Sequence, residues 1–381
     1  MRAMMAMIVA LTVGTAAPAV AAPITTATPI RFTLFRDSKI FADGAVNAVP
    51  TPLLLDSGAG MSVIDRDYAA RLHLAAAGRA LAHGTGGIEQ GTLVSGVTVV
   101  VGGARLSGIT ALVLDLAPLS RALGRPVAFV LGRELFATRR VTIDFARSTL
   151  AIDYPDRPPP VGATPLSLTP HGALFTVPIR IGDLPPVAAD LDLGNGGALL
   201  MSDPYAHRSR EIGALRHATG EGGGVGGLRE IDRVTLPKVS IGPYAIEHVP
   251  AEINRGAVVP LDGVNLGIQL LRNFVVTLDL GHCRLWLAPA ATPVPPPKER
   301  AGLRLEQDGG ALRVAYLAPT GPAKAAGLER DDRIVAIDGR PVDASYYPAG
   351  RFRWSNGPPG EAHRLRLTSG AERVVVLADY F

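Results

Sequence analysis

A single cysteine, Cys283, in 381 residues leaves no intramolecular disulfide open to this chain, even in an oxidising compartment. Its thiol reads as a small buried residue of a strand running from Arg284 to Leu287, and the adjacent His282 would face the other way along that strand. Lysine is scarce too. Lys39, Lys238, Lys298 and Lys324 are the only four, aromatic residues make up 5%, and the formal net charge of +4 is carried without a basic run. That balance argues against nucleic acid as a partner. No Gly-x-Ser-x-Gly string marks a serine hydrolase. The pairs His73/His83 and His207/His217 stand ten apart and match no common ligand interval, so neither a metal nor another cofactor is expected. Beyond the N-terminal segment no apolar run approaches the ~20 residues of a membrane-spanning helix.

What is present begins with a leader-like start. Met1-Arg2, the apolar stretch Ala3 to Thr15 and the small residues up to Ala21 have the three-part pattern of a secretory signal cut after Ala21. The expectation is an exported, periplasmic protein without a stable membrane span.

The mature sequence then says nearly the same thing twice. Leu53-Leu54-Leu55-Asp56-Ser57-Gly58-Ala59-Gly60 returns as Ala188-Ala189-Asp190-Leu191-Asp192-Leu193-Gly194-Asn195-Gly196, so that Asp56 and Asp192 are 192 − 56 = 136 residues apart. Val130-Leu131-Gly132 and Val141-Thr142-Ile143-Asp144 reappear 135 residues later as Asn265-Leu266-Gly267 and Val276-Thr277-Leu278-Asp279. Two copies of one unit, each with a carboxylate at the end of an apolar strand, predict a pseudo-twofold molecule with paired aspartates at its axis. Asp144 and Asp279 recur in register but read as architectural.

Proline-rich stretches at Pro155–Pro160 and Pro293–Pro297 read as linkers. They divide the chain into a signal at 1–21, a first lobe at 22–156, a second at 161–290 and an unrelated unit at 298–381. Short β-branched runs punctuated by glycine predict mostly-β lobes. Helix is expected only in brief pieces, after Asp65 through Leu74, around Leu116 to Leu123, and around Asp203 to Ile212 behind a Ser202 or Asp203 cap. Gly222 to Gly227 satisfies Gly-x-Gly-x-x-Gly literally, yet it matches His83-Gly84-Thr85-Gly86-Gly87 of the first copy, and both read as hairpin tips.

A carboxylate followed by a hydroxyl and a glycine makes a tight turn. If two such turns meet, the carboxylates cannot both ionise freely, and one shared proton lets the pair activate water. Leu55-Asp56-Ser57-Gly58-Ala59, the tip Thr85-Gly86-Gly87 and the segment Val130-Leu131-Gly132 resemble the retropepsin-like and pepsin-like aspartic proteases. The resemblance covers most of 30–290, in two tandem lobes. It implies a bilobal, pseudo-twofold β-barrel fold, catalytic roles for Asp56 and Asp192, and loop support from Ser57, Gly58, Ala59, Gly194 and Asn195. It also implies a flap tipped by Thr85, Gly86 and Gly87, closing over an extended peptide or unfolded-protein substrate. The second copy departs from the pattern: Leu193 stands where a hydroxyl is usual, Asn265 stands where an apolar residue is usual, and Asp190 rivals Asp192.

Residues 311–343 resemble a bacterial PDZ domain, a small α+β module: a strand to Leu317, the Ala-rich helix before Gly327-Leu328, an acidic turn, a strand to Ile337 and an Asp338-Gly339 turn. The resemblance implies a C-terminal peptide ligand whose carboxylate is held at Gly302, Leu303, Arg304 and Leu305. The alternative for this module is that it only packs against the lobes. The functional expectation is an aspartic endopeptidase. Two other readings stay open: a catalytically inactive peptide-binding protein that keeps the cleft, and a protease active only as a dimer of first lobes.

Overall fold

The computed structural model describes residues 27–255 and 263–381. The segment read as an export signal, with its cut after Ala21, lies outside the described residues. The described chain is mostly β, arranged in sheets of thirteen, eight and six strands.

The repeat seen in the sequence is a repeat in space. The strand Val49–Leu55 pairs in parallel with Phe129–Leu131, which pairs antiparallel with Val63–Asp65, and that strand runs parallel to Ala104–Leu114. The same three relations join Val187–Leu191 to Val264–Leu266, Leu199–Ser202 to Val264–Leu266, and Leu199–Ser202 to Tyr244–Asn254. Short strands enclosed on both faces are apolar throughout, which is why Leu53, Leu54 and Leu55 carry no alternation and are all buried. The two copies join through Arg140–Asp144 and Phe274–Asp279, paired so that Thr142 faces Thr277, its own counterpart, with their hydroxyls 3.0 Å apart. The pseudo-twofold axis passes between these two threonines. Strands Thr149–Asp153 and Ile30–Phe35 extend one side of this seam, and Arg284–Pro289 and Thr164–Ser167 extend the other.

The linker Pro155–Pro160 is pinned to the body of the molecule. Arg140 donates from Nη2 to the Pro155 carbonyl at 2.7 Å and from Nη1 to that of Pro158 at 2.9 Å.

The expected helices occur, but the first ends at Arg71, short of Leu74, and the third is broken. Asp65 caps Arg66–Arg71 by accepting from the amides of Asp67 and Tyr68, both at 3.1 Å. Ala117–Leu123 stops at Gly124 in the left-handed conformation, φ 72°. The third breaks in two, Asp203–Arg208 and Arg210–Gly213, because extended Ser209 ends the first piece and caps the second at the Ile212 amide, 3.2 Å away. Cys283 also differs from expectation. It sits half-buried in a left-handed turn, φ 54°, before the strand that begins at Arg284.

The six-stranded sheet contains Leu303–Asp308, Ala311–Leu317, Arg333–Ile337, Arg340–Pro341, Ala362–Leu367 and Glu372–Val376, with the short helix Pro322–Ala325. It does not hang free. Its Leu303, Leu305, Tyr346 and Tyr347 share one buried cluster with Phe35, Phe41, Leu116 and Val130 of the first copy.

Candidate active site

Each copy ends an apolar strand in a turn held by the same backbone bonds. The Asp56 amide donates to the Leu131 carbonyl and the Asp192 amide to that of Leu266, both at 3.0 Å. Inside each turn a glycine amide returns to the carboxylate, Gly58 to Asp56 at 2.8 Å and Gly194 to Asp192 at 2.7 Å. The turns face each other closely enough that each glycine abuts the opposite carboxylate. A Cβ on Gly58 would fall 2.3 Å from Asp192 Oδ1, and one on Gly194 would fall 2.3 Å from the Asp56 carboxyl. No larger residue fits at either position without parting the aspartates.

Ser57 braces the pair from one side. Its buried hydroxyl accepts from the Leu193 amide at 3.0 Å and donates to the Leu191 carbonyl at 3.2 Å, so one hydroxyl holds the turn of the other copy. Leu193 is fully buried and returns no such bond. The second turn is fixed by amides instead. Asn265 Nδ2 donates to Asp192 Oδ2 at 2.8 Å, Asn195 Nδ2 donates to Asn265 Oδ1 at 2.7 Å, and the Asn195 amide reaches Asp192 Oδ1 at 3.1 Å. Asn265, unusual in the sequence, is thus tied to the carboxylate it supports. The Ala59 carbonyl accepts from the Arg133 amide at 3.0 Å and closes the first turn. The rival Asp190 is buried on its strand with His171 Nδ1 at 2.9 Å, and it belongs to a different contact from the facing turns.

Burial pushes the Asp56 carboxyl up to about 7, helped by the negative charge of Asp192 and a hydrogen bond shared with it, and opposed by the Lys39 ammonium. Lys39 begins the strand Lys39–Val46 and donates from Nζ to the Gly194 carbonyl. Burial lowers its own pKa, while Asp56 and Asp192 pull it back up. Sequence reasoning passed over this residue: seventeen positions separate it from Asp56, and only the hairpin between them brings it to the site.

Each copy also carries a long glycine-tipped hairpin. Thr85, Gly86 and Gly87 lie where Ala76–Gly84 turns into Gly87–Val101, and Gly224 to Gly227 lie where Ala218–Gly224 turns into Gly227–Ile241. The tips touch: the Gly86 amide donates to the Val225 carbonyl at 3.0 Å, Arg229 donates to the Gly86 carbonyl, and Asn254 Nδ2 donates to that of Thr85 at 3.3 Å. A Cβ on Gly226 would fall 2.4 Å from the Gly87 amide nitrogen. Arg229 and Asn254 carry no motif and were not legible beforehand.

The stretch expected to hold a peptide carboxylate makes several contacts within the chain. The amides of Ala301 and Gly302 already donate to Glu299 Oε1, at 2.7 and 3.0 Å. Leu303 and Leu305 are buried, Arg304 Nε is paired with Glu221 at 2.7 Å, and the Leu305 carbonyl accepts from the Tyr347 hydroxyl at 3.1 Å. These residues are engaged within the chain. Among the described residues no group of three or more His, Cys, Asp or Glu side chains is placed to hold a metal ion, and no helix is long and apolar enough to cross a membrane.

No curated protein matches this chain. Residues 42–135, which contain Asp56, the first hairpin and the Val130-Leu131-Gly132 segment, match the family model described as aspartyl protease, and this part of the chain is an aspartyl-protease-like region.

Proposed function

We propose that the protein is an aspartic peptidase in which Asp56 and Asp192 share one proton and activate a water against a peptide carbonyl. The observation that carries this reading is the reciprocal packing of the two turns, with each carboxylate against the other turn's glycine. The carboxyl pushed up to about 7 is the one suited to keep the shared proton. Asp192 takes a proton from water while the water oxygen adds to the carbonyl carbon, and Asp56 gives its proton to the carbonyl oxygen. When the tetrahedral adduct collapses, the C–N bond breaks and the amine leaves with a proton returned from the pair.

On this reading 22–156 and 161–290 are the two lobes of one catalytic unit, and the hairpins hold an extended substrate against the dyad. Residues 298–381 are a PDZ-type module used as a packing element. What supports that role is the shared apolar cluster with the first copy and the Glu299 carboxylate already occupying the loop amides. Export to the periplasm is part of the proposal and rests on the N-terminal pattern alone.

Cleavage profiling of a peptide library by mass spectrometry, from acidic to neutral pH, tests the assignment. Asp56→Asn and Asp192→Asn are each expected to lower kcat/KM by about 10²–10⁴-fold. Wild-type rates in both variants would sink the reading. A loss confined to Asp56→Asn would point to pairing of first copies between chains.

A further inference from the structure

Where the unit built on the six-stranded sheet packs against the first copy, the two surfaces leave a cavity of about 350 Å³, within the size range of small-molecule sites. Part of its lining is aromatic. Phe35 comes from the first copy, and Tyr347 and Phe352 come from the segment between the strands Arg340–Pro341 and Ala362–Leu367. The Tyr347 ring lies 6.4 Å from that of Phe35 and 6.2 Å from that of Phe352 between centroids. Three guanidiniums share the lining, those of Arg36, Arg125 and Arg353, and no carboxylate does. Neither aspartate turn contributes to it.

The three cations are not equally satisfied. Arg353 clasps Asp37 with bonds of 2.6 and 2.7 Å. Arg36 donates from Nη1 to the Ala122 carbonyl at 2.8 Å and lies 4.3 Å from the centre of the Tyr347 ring. Arg125 lies 4.1 Å from the centre of the Phe41 ring and 5.4 Å from that of Phe35. Among the described residues neither Arg36 nor Arg125 is in an ion pair, and both are half-buried. Burial disfavours the charge of Arg125, and the nearby Asp43 offsets part of that. Two guanidiniums against one aspartate leave a surplus of a single positive charge beside apolar rings. Arg36 is held, moreover, in a costly backbone conformation: it and Asp37 turn their hairpin at φ 51° and 55°, the left-handed region where glycine and asparagine are usual. Strain of this kind persists at ligand clamps, where the surrounding structure fixes it.

We propose that this cavity binds a small aromatic carboxylate, its ring among Phe35, Tyr347 and Phe352 and its carboxylate at the Arg36 and Arg125 guanidiniums. The site is separate from the aspartate turns and does not rest on the peptidase reading. A carboxylate gives a half-buried guanidinium the charge-assisted bonds that burial has cost it. Its single negative charge matches the surplus, whereas an amine of the same shape would meet like charge. Because the first copy and the third sheet both supply lining, the ligand bridges them. It binds only the packed form and raises the temperature at which the shared cluster melts.

Isothermal titration of the full chain with hydrocinnamate, with its primary amide and with a short acetylated peptide ending in phenylalanine provides the test. The acid is expected to bind about tenfold tighter than the amide and to raise the melting temperature. Arg36→Gln and Arg125→Gln are each expected to weaken the acid about tenfold and to leave the amide unchanged, and Arg125→Lys to keep part of the preference. Thr33→Trp fills the cavity from an exposed strand position without removing a guanidinium, and is expected to abolish binding of acid and amide alike. Melting of each variant without ligand tells a folding defect from a lost site. Equal affinity for acid and amide overturns the proposal, as does acid binding that survives Thr33→Trp. Loss of acid binding in Asp56→Asn would move the ligand to the aspartate turns and overturn it too. Binding of the peptide alone would replace the small ligand by a chain end and sink the assignment.

Discussion

Asp56 keeps only partial exposure to the cleft, and both its burial and the charge of Asp192 favour its protonated form. A carboxyl whose folded pKa is raised, here from 3.8 to about 7, binds more protons folded than unfolded across that interval. Its stabilising contribution is full below the unfolded value and is lost as pH rises toward the folded one. The melting temperature of the wild type is therefore expected to decline across this window more steeply than that of Asp56→Asn, which has no proton to lose. Calorimetry of both proteins at a series of pH values checks this, and parallel profiles would contradict it. If the pair works as proposed, the same window sets the chemistry, since a dyad that keeps one proton toward neutrality can still share it there. Leu193 offers no hydroxyl to the first turn, and Asp192 is held instead by the amide chain through Asn265 and Asn195.

The turns and the hairpins differ in how much of them the sequence discloses. Asp56 and Asp192 were legible because strand, carboxylate and glycine are local and recur at a fixed offset, and the Leu131 and Leu266 carbonyls that hold them recur with them. Contacts that close the site are not local. Lys39, Arg229 and Asn254 act across the pseudo-axis or across a hairpin, so their spacing carries no pattern, and a lone lysine or arginine looks like surface. The break at Ser209 was missed for a related reason: a serine that caps the second helix also permits one continuous helix in a linear reading. The hairpin tips also make a prediction of their own. Arg229→Ala removes the guanidinium that grips the Gly86 carbonyl, and hydrogen exchange at the Gly86 amide is expected to quicken by about tenfold. The buried stretch Leu53–Leu55 is expected to keep its protection. Unchanged exchange at the tip would show that the Gly86–Val225 bond holds without the arginine.

At the scale of the whole molecule, the third sheet behaves as part of the core and not as an appendage. Composition set it apart at Pro293–Pro297 and the motif pointed to strands ending at Leu317 and Ile337, yet neither announced that Tyr346 and Tyr347 fill a cluster with Phe35 and Leu116. Those tyrosines lie in the segment that departs most from the resemblance, and their packing partners are hundreds of positions away. Tyr347, 4% exposed, is expected to cost about 3 kcal/mol when replaced by alanine. Because the cluster is shared, calorimetry of the wild type is expected to show one transition, and Tyr347→Ala to lower or split it. A wild-type profile already resolved into two transitions would mean that the sheet folds independently of the first copy.

The pairing of Thr142 with Thr277 has a consequence for how the site diversifies. In a protein assembled from two identical chains, every substitution near the axis arrives in duplicate, so a lysine beside one aspartate turn is a lysine beside both. Joining the copies covalently while keeping the seam intact releases that constraint. One half holds a serine and a lysine where the other holds two leucines. A single chain lets a symmetric frame carry two unlike halves.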